Sequence, residues 1–170
     1  FPEIKTCIID SKQGPMLFGQ ADGVSCRTLE IMEAYNTSEL ILKESYWLNQ
    51  ISFWDPDKKA THNITRSEKT ADPRVGLSEF PHVVLNQARI HDLLLDGMLN
   101  SVTQLKPIYN SRLQNVDFDR NINNKVNVFP IKTVIEKVEG TNKGKIESIK
   151  SKYIVGCDGA RSTVRKCLEI

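Results

Sequence analysis

Asp158, Gly159, Ser162 and Arg165 stand at short, fixed spacing behind an apolar run, Tyr153 to Val155, in the stretch KYIVGCDGARSTVRKCL that runs from Lys152 to Leu168. The run stops at Gly156 and reads as a buried strand breaking into a tight turn that opens a helix. Asp158 would then place an acceptor for ribose hydroxyls at the end of a sheet strand, and Gly159 would let another backbone approach closely. Ser162 and Arg165 suit capping and positioning in the first turns of the helix.

Three further segments carry similar chemistry. Asp10 ends an apolar stretch, Ile4 to Ile9, read as a short strand. In a dinucleotide-binding βαβ unit, an acid about 20 residues beyond the glycine-rich turn ends the second strand and accepts from the adenosine ribose. No GxGxxG precedes Asp10, and an aspartate ending a strand is also an ordinary turn former. Gly19 to Glu30, GQADGVSCRTLE, flanks Asp22 with glycines and sets Arg27 at the start of a helix. Arg27 could reach a pyrophosphate with a charge-assisted bond while Asp22 points into a cavity, although an Asx turn between glycines explains Asp22 as well. In His82 to Arg89, HVVLNQAR, an apolar strand feeds a helix whose entry carries Gln87, a side chain that both donates and accepts.

The elements that must position these residues follow from pattern and composition. At 170 residues and 39% hydrophobic content the chain supports one domain with a substantial core. Thr28 to Leu42 reads as one or two helices interrupted near Asn36 to Ser38, and Trp47 to Arg66 as a hairpin turning at Asp55, Pro56 and Asp57. Lys69 to Pro81 is a loop. Gln87 to Leu99 is a helix with Ile90, Leu93, Leu94 and Met98 at helical spacing. Asn110 to Lys125, polar and rich in asparagine, reads as a loop or frayed strand. Strands follow at Val126 to Phe129, Ile131 to Val138 and Ile146 to Lys150, the last two joined by a turn at Glu139 to Gly144. The order suits an α/β or α+β domain with a nucleotide-binding sheet.

Composition excludes little but excludes it clearly. The 23 basic and 21 acidic residues leave a formal charge of +2, and no basic run reaches five or six residues, so neither nucleic acid nor an anionic membrane is required as partner. No apolar run approaches the roughly 18 to 20 residues that span a bilayer. Cys7, Cys26, Cys157 and Cys167 form no CxxC, and His62, His82 and His91 form no ligand cluster, so no metal site is expected and the thiols read as free in a reducing compartment.

Taken together and in order, the four segments resemble the FAD-dependent aromatic hydroxylases of the para-hydroxybenzoate hydroxylase and phenol hydroxylase type. The likeness is weakest from Ser101 to Lys145. It implies a fold that is α/β, part of a Rossmann-like FAD-binding domain with inserted antiparallel substrate-domain strands, the region near 47–85 contributing to substrate binding. It implies that Asp22 is the catalytic residue, orienting a phenol hydroxyl and drawing off its proton, and that Arg27 reaches the FAD phosphates. Gln87 lies against the ribityl chain, Asp10 holds the adenosine ribose, and Asp158, Gly159 and Arg165 organise the pyrophosphate region and the passage of NADPH.

The implied activity is NADPH- and O2-dependent ortho-hydroxylation of phenol to catechol, in a cytoplasmic enzyme that pairs as a homodimer. The glycine-rich motif and a later Gly-Asp motif are not in the sequence. The expectation is therefore an internal piece of a longer chain, inactive and aggregation-prone by itself. A hydroxylase for another aromatic ring, a non-catalytic nucleotide-binding module and a gene remnant are the competing readings.

Overall fold

Ser25 opens the first helix, α1 (Cys26–Glu33), because its hydroxyl accepts from Thr28 N at 3.3 Å and satisfies one of the free N–H groups of the first turn. The computed structural model describes residues 4–71, 76–119 and 129–170. These divide into two units, Pro15–Gln104 on one side and residues 1–14 with 105–170 on the other.

Within Pro15–Gln104, α1 ends where Asn36 takes a left-handed conformation, φ 56°, which asparagine tolerates better than most residues. Thr37 then donates to Met32 O from both its N–H and its hydroxyl, each at 3.0 Å. Helix α2 (Ser38–Glu44) follows at once, so the interruption expected near Asn36 to Ser38 is present and turns on one backbone angle. Helix α3 (Gln87–Leu99) has the expected bounds, with Asn86 accepting from Ala88 N at 2.9 Å. Of its apolar stripe, Leu93 is buried and Ile90 packs on the core, while Leu94 is 37% exposed.

Three short strands join these helices. Strand β1 is Gly23–Val24, β2 is Tyr46–Leu48 and β5 is His82–Val84, with β5 central and antiparallel to both neighbours. Val24, Leu29, Ile41, Val83 and Leu93 meet as the core of this unit, with Met32, Leu42, Phe80, Leu85 and Ile90 packed around them. Leu29, fully buried, supplies roughly 1.5–3 kcal/mol of burial free energy by itself. The bidentate Arg89–Glu44 pair, 2.6 and 2.7 Å, ties the start of α3 to the end of α2.

Strands β3 (Gln50–Pro56) and β4 (Ile64–Ala71) form a separate antiparallel hairpin, bulged between Phe53 and Trp54. The turn lies later than expected. Pro56 still pairs, as proline can in an edge strand, and the loop begins at Asp57, whose carboxylate accepts from Lys59 N at 2.8 Å while its N–H donates to Asn63 O at 2.8 Å. Strand β4 also extends two residues past Lys69 into the expected loop.

In the other unit, β6 (Ser111–Phe118), β7 (Ile131–Lys137) and β8 (Ile146–Ser151) form an antiparallel meander with β7 in the middle. Ile131, Thr133 and Ile135 alternate inward on β7, and the short helix α4 (Thr163–Cys167) packs against β6. The β7–β8 hairpin turns on Gly140 and Gly144, both at positive φ.

One expectation is resolved and two fail in this unit. Asn110 to Lys125, expected as a loop or frayed strand, carries strand β6 over Ser111–Phe118, with residues 120–125 outside the described ones, and the register shifts between Leu113 and Asn115. Gln114 is an extra residue that flips the parity of the faces, so the inward set Ser111, Leu113, Val116 does not alternate in sequence. The segment Ile4 to Ile9 forms no strand. Among the described residues it makes one parallel bridge, Ile9 to Ile108, and Ile4 stays 59% exposed. Tyr153 and Val155 are 84% and 82% exposed, since no strand among the described residues pairs with them and an apolar run is buried only when a neighbour covers it. The expected strand at Val126 to Phe129 falls mostly outside the described residues.

Candidate functional site

The register of β1 on β5 brings two of the expected residues to one place. Gly23 pairs with Val84, and Leu85 N donates to Asp22 O at 2.8 Å, continuing the pairing by one residue. Asp22 therefore lies beside the chain as it enters α3, whose first residue is Gln87. Asp22 and Gln87 line one cavity of about 230 Å³, together with Thr28, Met32, Ile41 and Ile90. Its lining combines the apolar Val24, Met32, Ile41 and Ile90 with the polar residues Asp22, Thr28 and Gln87, of which Asp22 is exposed to solvent.

Gln87 is held from a side that sequence reasoning did not identify. A Cβ at Gly19 would sit 2.6 Å from Gln87 Cβ and 2.9 Å from its backbone nitrogen, so only glycine lets the two backbones meet. The contact brings Gln20 N to 2.9 Å from Gln87 Oε1. The amide is thereby oriented, with its NH2 group left as a donor along the cavity wall. The glycine of GQADG was the available signal. What was missing was its partner on α3.

Arg27, on the first turn of α1, is paired with Glu30 at 2.7 Å and has an 80% exposed side chain. His91 accepts from Met16 N at 3.4 Å, a contact within the fold.

In the other unit Asp10 is half-buried. Its N–H donates to Ile108 O at 3.1 Å, its carbonyl accepts from Ser111 N at 2.9 Å, and its carboxylate accepts from Lys12 N at 2.9 Å. The turn-forming contact and the acceptor group coexist. Asp158 accepts from Ser162 Oγ at 2.5 Å, Thr163 N at 2.6 Å and Val164 N at 3.1 Å. The Ser162 hydroxyl, then the N–H groups of Val164 and Thr163, hold its carboxyl below the ordinary value of 3.8 against the opposing effect of burial.

Three of roughly four carboxylate lone-pair sites are used within the segment. Asp158 anchors α4, with Ser162 as N-cap accepting from Arg165 N at 3.0 Å. Arg165 turns back to Ala160 O at 2.6 Å. Gly159 has φ 77° and open space where a Cβ would stand, so its glycine serves the turn. The close approach expected of it belongs instead to Gly156, where a Cβ would lie 2.9 Å from Val164 Cβ.

Among the described residues no cluster of histidine, cysteine or carboxylate side chains could hold a metal ion, and no helix is long and apolar enough to cross a membrane. The four cysteines are unpaired.

Residues 3–170 match the family described as FAD binding domain. The chain is 45% identical over 168 residues to the 3-hydroxybenzoate 4-monooxygenase of Comamonas testosteroni, covering 99% of this chain and 26% of that protein. It is 32% identical to the FAD-dependent monooxygenase terD of Aspergillus terreus, over 95% of this chain and 25% of that one. Identity to the phenol 2-monooxygenase fsqG of Aspergillus fumigatus is 26%, over 96% and 25%. The chain thus spans about a quarter of the length of the curated relatives it matches.

Among solved structures, p-nitrophenol 4-monooxygenase PnpA from Pseudomonas putida superposes with a TM-score of 0.76 at 15% identity, covering 98% of this chain and 38% of that one. The flavin-dependent monooxygenase PieE, in complex with FAD and substrate, gives 0.73 at 17%, covering 95% and 27%. These likenesses carry the mixed α/β fold, and the near-complete family match establishes that the chain belongs to the FAD-binding domain family.

Proposed function

We propose that this chain is the central part of the flavin domain of an NADPH-dependent monooxygenase that hydroxylates a phenolic ring at the carbon next to its hydroxyl. The observation that carries the reading is the shared cavity. Asp22 and Gln87, far apart in sequence, line one space with Met32, Ile41 and Ile90, and among the described residues no ion pair engages the Asp22 carboxylate. The residues present fit part of a flavin nucleotide. The Gly19 backbone lies where a Cβ would collide with Gln87, and the oriented Gln87 amide offers a donor to a hydroxylated chain. At about 230 Å³, below the roughly 300–1,000 Å³ of complete small-molecule sites, the cavity takes one portion of a ligand.

When bound, FAD supplies the activation of O2, with NADPH as the electron source; one oxygen atom enters the ring and the other leaves as water. This chain's own residues do the rest of the work proposed here. Asp22 accepts a hydrogen bond from the phenol hydroxyl and draws off its proton, which enriches the ortho carbon in electrons. Met32, Ile41 and Ile90 keep water from one side of the cavity. Gln87 and Arg27 hold flavin, Asp10 holds the adenosine ribose, and Asp158, Gly159 and Arg165 shape the pyrophosphate region, Asp158 through the α4 N-terminus that it anchors. The hairpin within 47–85 contributes to the substrate region.

The regiochemistry draws support from two relatives. A 3-hydroxybenzoate 4-monooxygenase and a phenol 2-monooxygenase are both named for attack beside a ring hydroxyl. The higher identity to the first favours a hydroxybenzoate as a second substrate reading. The test is to give the full-length protein FAD, NADPH and either phenol or 3-hydroxybenzoate and to identify the ring product. An ortho-hydroxylated product is expected, and Asp22→Asn should lower its rate by about 10²–10⁴-fold while leaving flavin bound. Turnover unchanged by Asp22→Asn would sink the catalytic role of Asp22, and no turnover of either substrate by the full-length protein would leave a nucleotide-binding module.

A further inference from the structure

Glu30 is held at both carboxylate oxygens. Oε1 accepts from Ser78 Oγ at 2.7 Å, and Oε2 takes the Arg27 guanidinium at 2.7 Å, one turn earlier on α1. Ser78 is itself tied, because its hydroxyl accepts from Phe80 N at 3.1 Å and Phe80 packs on the core of the unit. The Glu30 side chain is 28% exposed and that of Arg27 is 80% exposed. A line of polar contacts thus runs from a core-anchored loop through Glu30 to a guanidinium in solvent.

Such a pair does little for stability, since an exposed i,i+3 ion pair contributes next to nothing measurable. Its effect is on the freedom of the arginine. A guanidinium fork matches a diphosphate only in a narrow set of orientations, and an arginine loose in solvent must give up its rotamers to reach one of them. An acceptor fixed from the core makes that selection beforehand and leaves the remaining N–H groups for a ligand. We propose that Glu30, oriented by Ser78, is a positioning residue that preorganises Arg27 for the diphosphate of the dinucleotide. The proposal rests on the reading of Arg27 as a diphosphate contact.

The test is a double-mutant cycle on the full-length protein. FAD affinity of the apoprotein is measured by quenching of flavin fluorescence for wild type, Glu30→Gln, Arg27→Ala and the double variant, with apoprotein melting curves alongside. Glutamine keeps an acceptor for Ser78 and removes the charge that holds Arg27. Glu30→Gln should weaken FAD binding roughly tenfold, Arg27→Ala at least as much, and the double variant no more than Arg27→Ala, with melting temperatures unchanged.

Losses that add in the double variant overturn the positioning role. So does an affinity unchanged or tightened by Glu30→Gln, which would make the carboxylate a bystander or a competitor of the phosphate. An affinity unchanged by Arg27→Ala overturns the diphosphate reading and the proposal with it. If Glu30→Gln does not fold, Ser78→Ala, which unties the carboxylate without altering its charge, completes the same cycle.

Discussion

At the scale of single residues, the cavity depends on a side chain that is absent. Gly19 has no unusual φ, so its backbone conformation is open to other residues. What excludes them is Gln87, whose Cβ and N lie 2.6 and 2.9 Å from where an alanine methyl would stand. The obstacle is partly backbone, so it cannot swing aside as the end of a long side chain would. Gly19→Ala should therefore push residues 19–20 off α3, break the Gln20 N to Gln87 Oε1 bond and destabilise the fold by about 1–3 kcal/mol, the usual cost of overpacking. Thermal or urea unfolding of the full-length protein measures it. Gly14, with nothing within 4 Å of a Cβ, is the control. An equal loss at both positions would show that conformational freedom, and not the contact, is what matters at Gly19.

At the scale of elements, α4 is too short to stand on its own propensity, because a helix of five residues has most of its N–H groups without an intrahelical partner. Asp158 and Ser162 supply acceptors to Thr163, Val164 and Arg165. Ser162, 5% exposed, should cost about 1 kcal/mol as Ser162→Ala, the usual loss of an N-cap.

The Asp158 carboxyl titrates below the ordinary 3.8 because it is hydrogen-bonded in its ionised form. Its contribution is therefore fully present above pH 3.8, where folded and unfolded chains are both ionised, and is lost as the pH falls through the lower folded value. Asp158→Asn should remove that part of the acid sensitivity and lower stability at neutral pH. Urea unfolding at pH 7 and at pH 3 reads both. Equal stability of wild type and Asp158→Asn at pH 7 would end the anchoring role.

At the scale of the whole molecule, large apolar side chains stand in solvent in both units. Leu17 and Phe18 are 81% and 86% exposed beside the cavity segment, Trp54 is 60% exposed on the hairpin, and Tyr153 and Val155 are each more than four-fifths exposed ahead of α4. Exposed apolar surface of this kind associates unless something covers it. Expressed alone, the 170 residues should elute as aggregates above the 19.3 kDa monomer and show no phenol-dependent NADPH oxidation. Size-exclusion chromatography with the assay decides it. A monomer with a sharp cooperative melt, or turnover by the isolated chain, would overturn this expectation.

Much of this was legible before any coordinates. The helical spacing of Ile90, Leu93, Leu94 and Met98 placed α3 to the residue, and Ser162 before a helical stretch marked α4, because capping and helical periodicity are decided within a few neighbouring residues. The order of Asp10, Asp22, Arg27, Gln87 and the Asp158 segment identified the family for the same reason, since each motif is local.

Tertiary structure decided whatever depends on a distant partner. The two-residue strand β1 has no periodicity to read, yet its pairing with β5 sets Asp22 beside Gln87. The bulge at Gln114 left β6 readable only as a loop or frayed strand, because its hydrogen bonds come from β7. Tyr153 to Val155 looked like a buried strand in sequence, yet Tyr153 and Val155 stay exposed, and Gly19 and Gly156 owe their identity to atoms on Gln87 and Val164. Propensity is a property of a segment, whereas burial and strand pairing belong to two segments at once, and no local pattern states which two will meet.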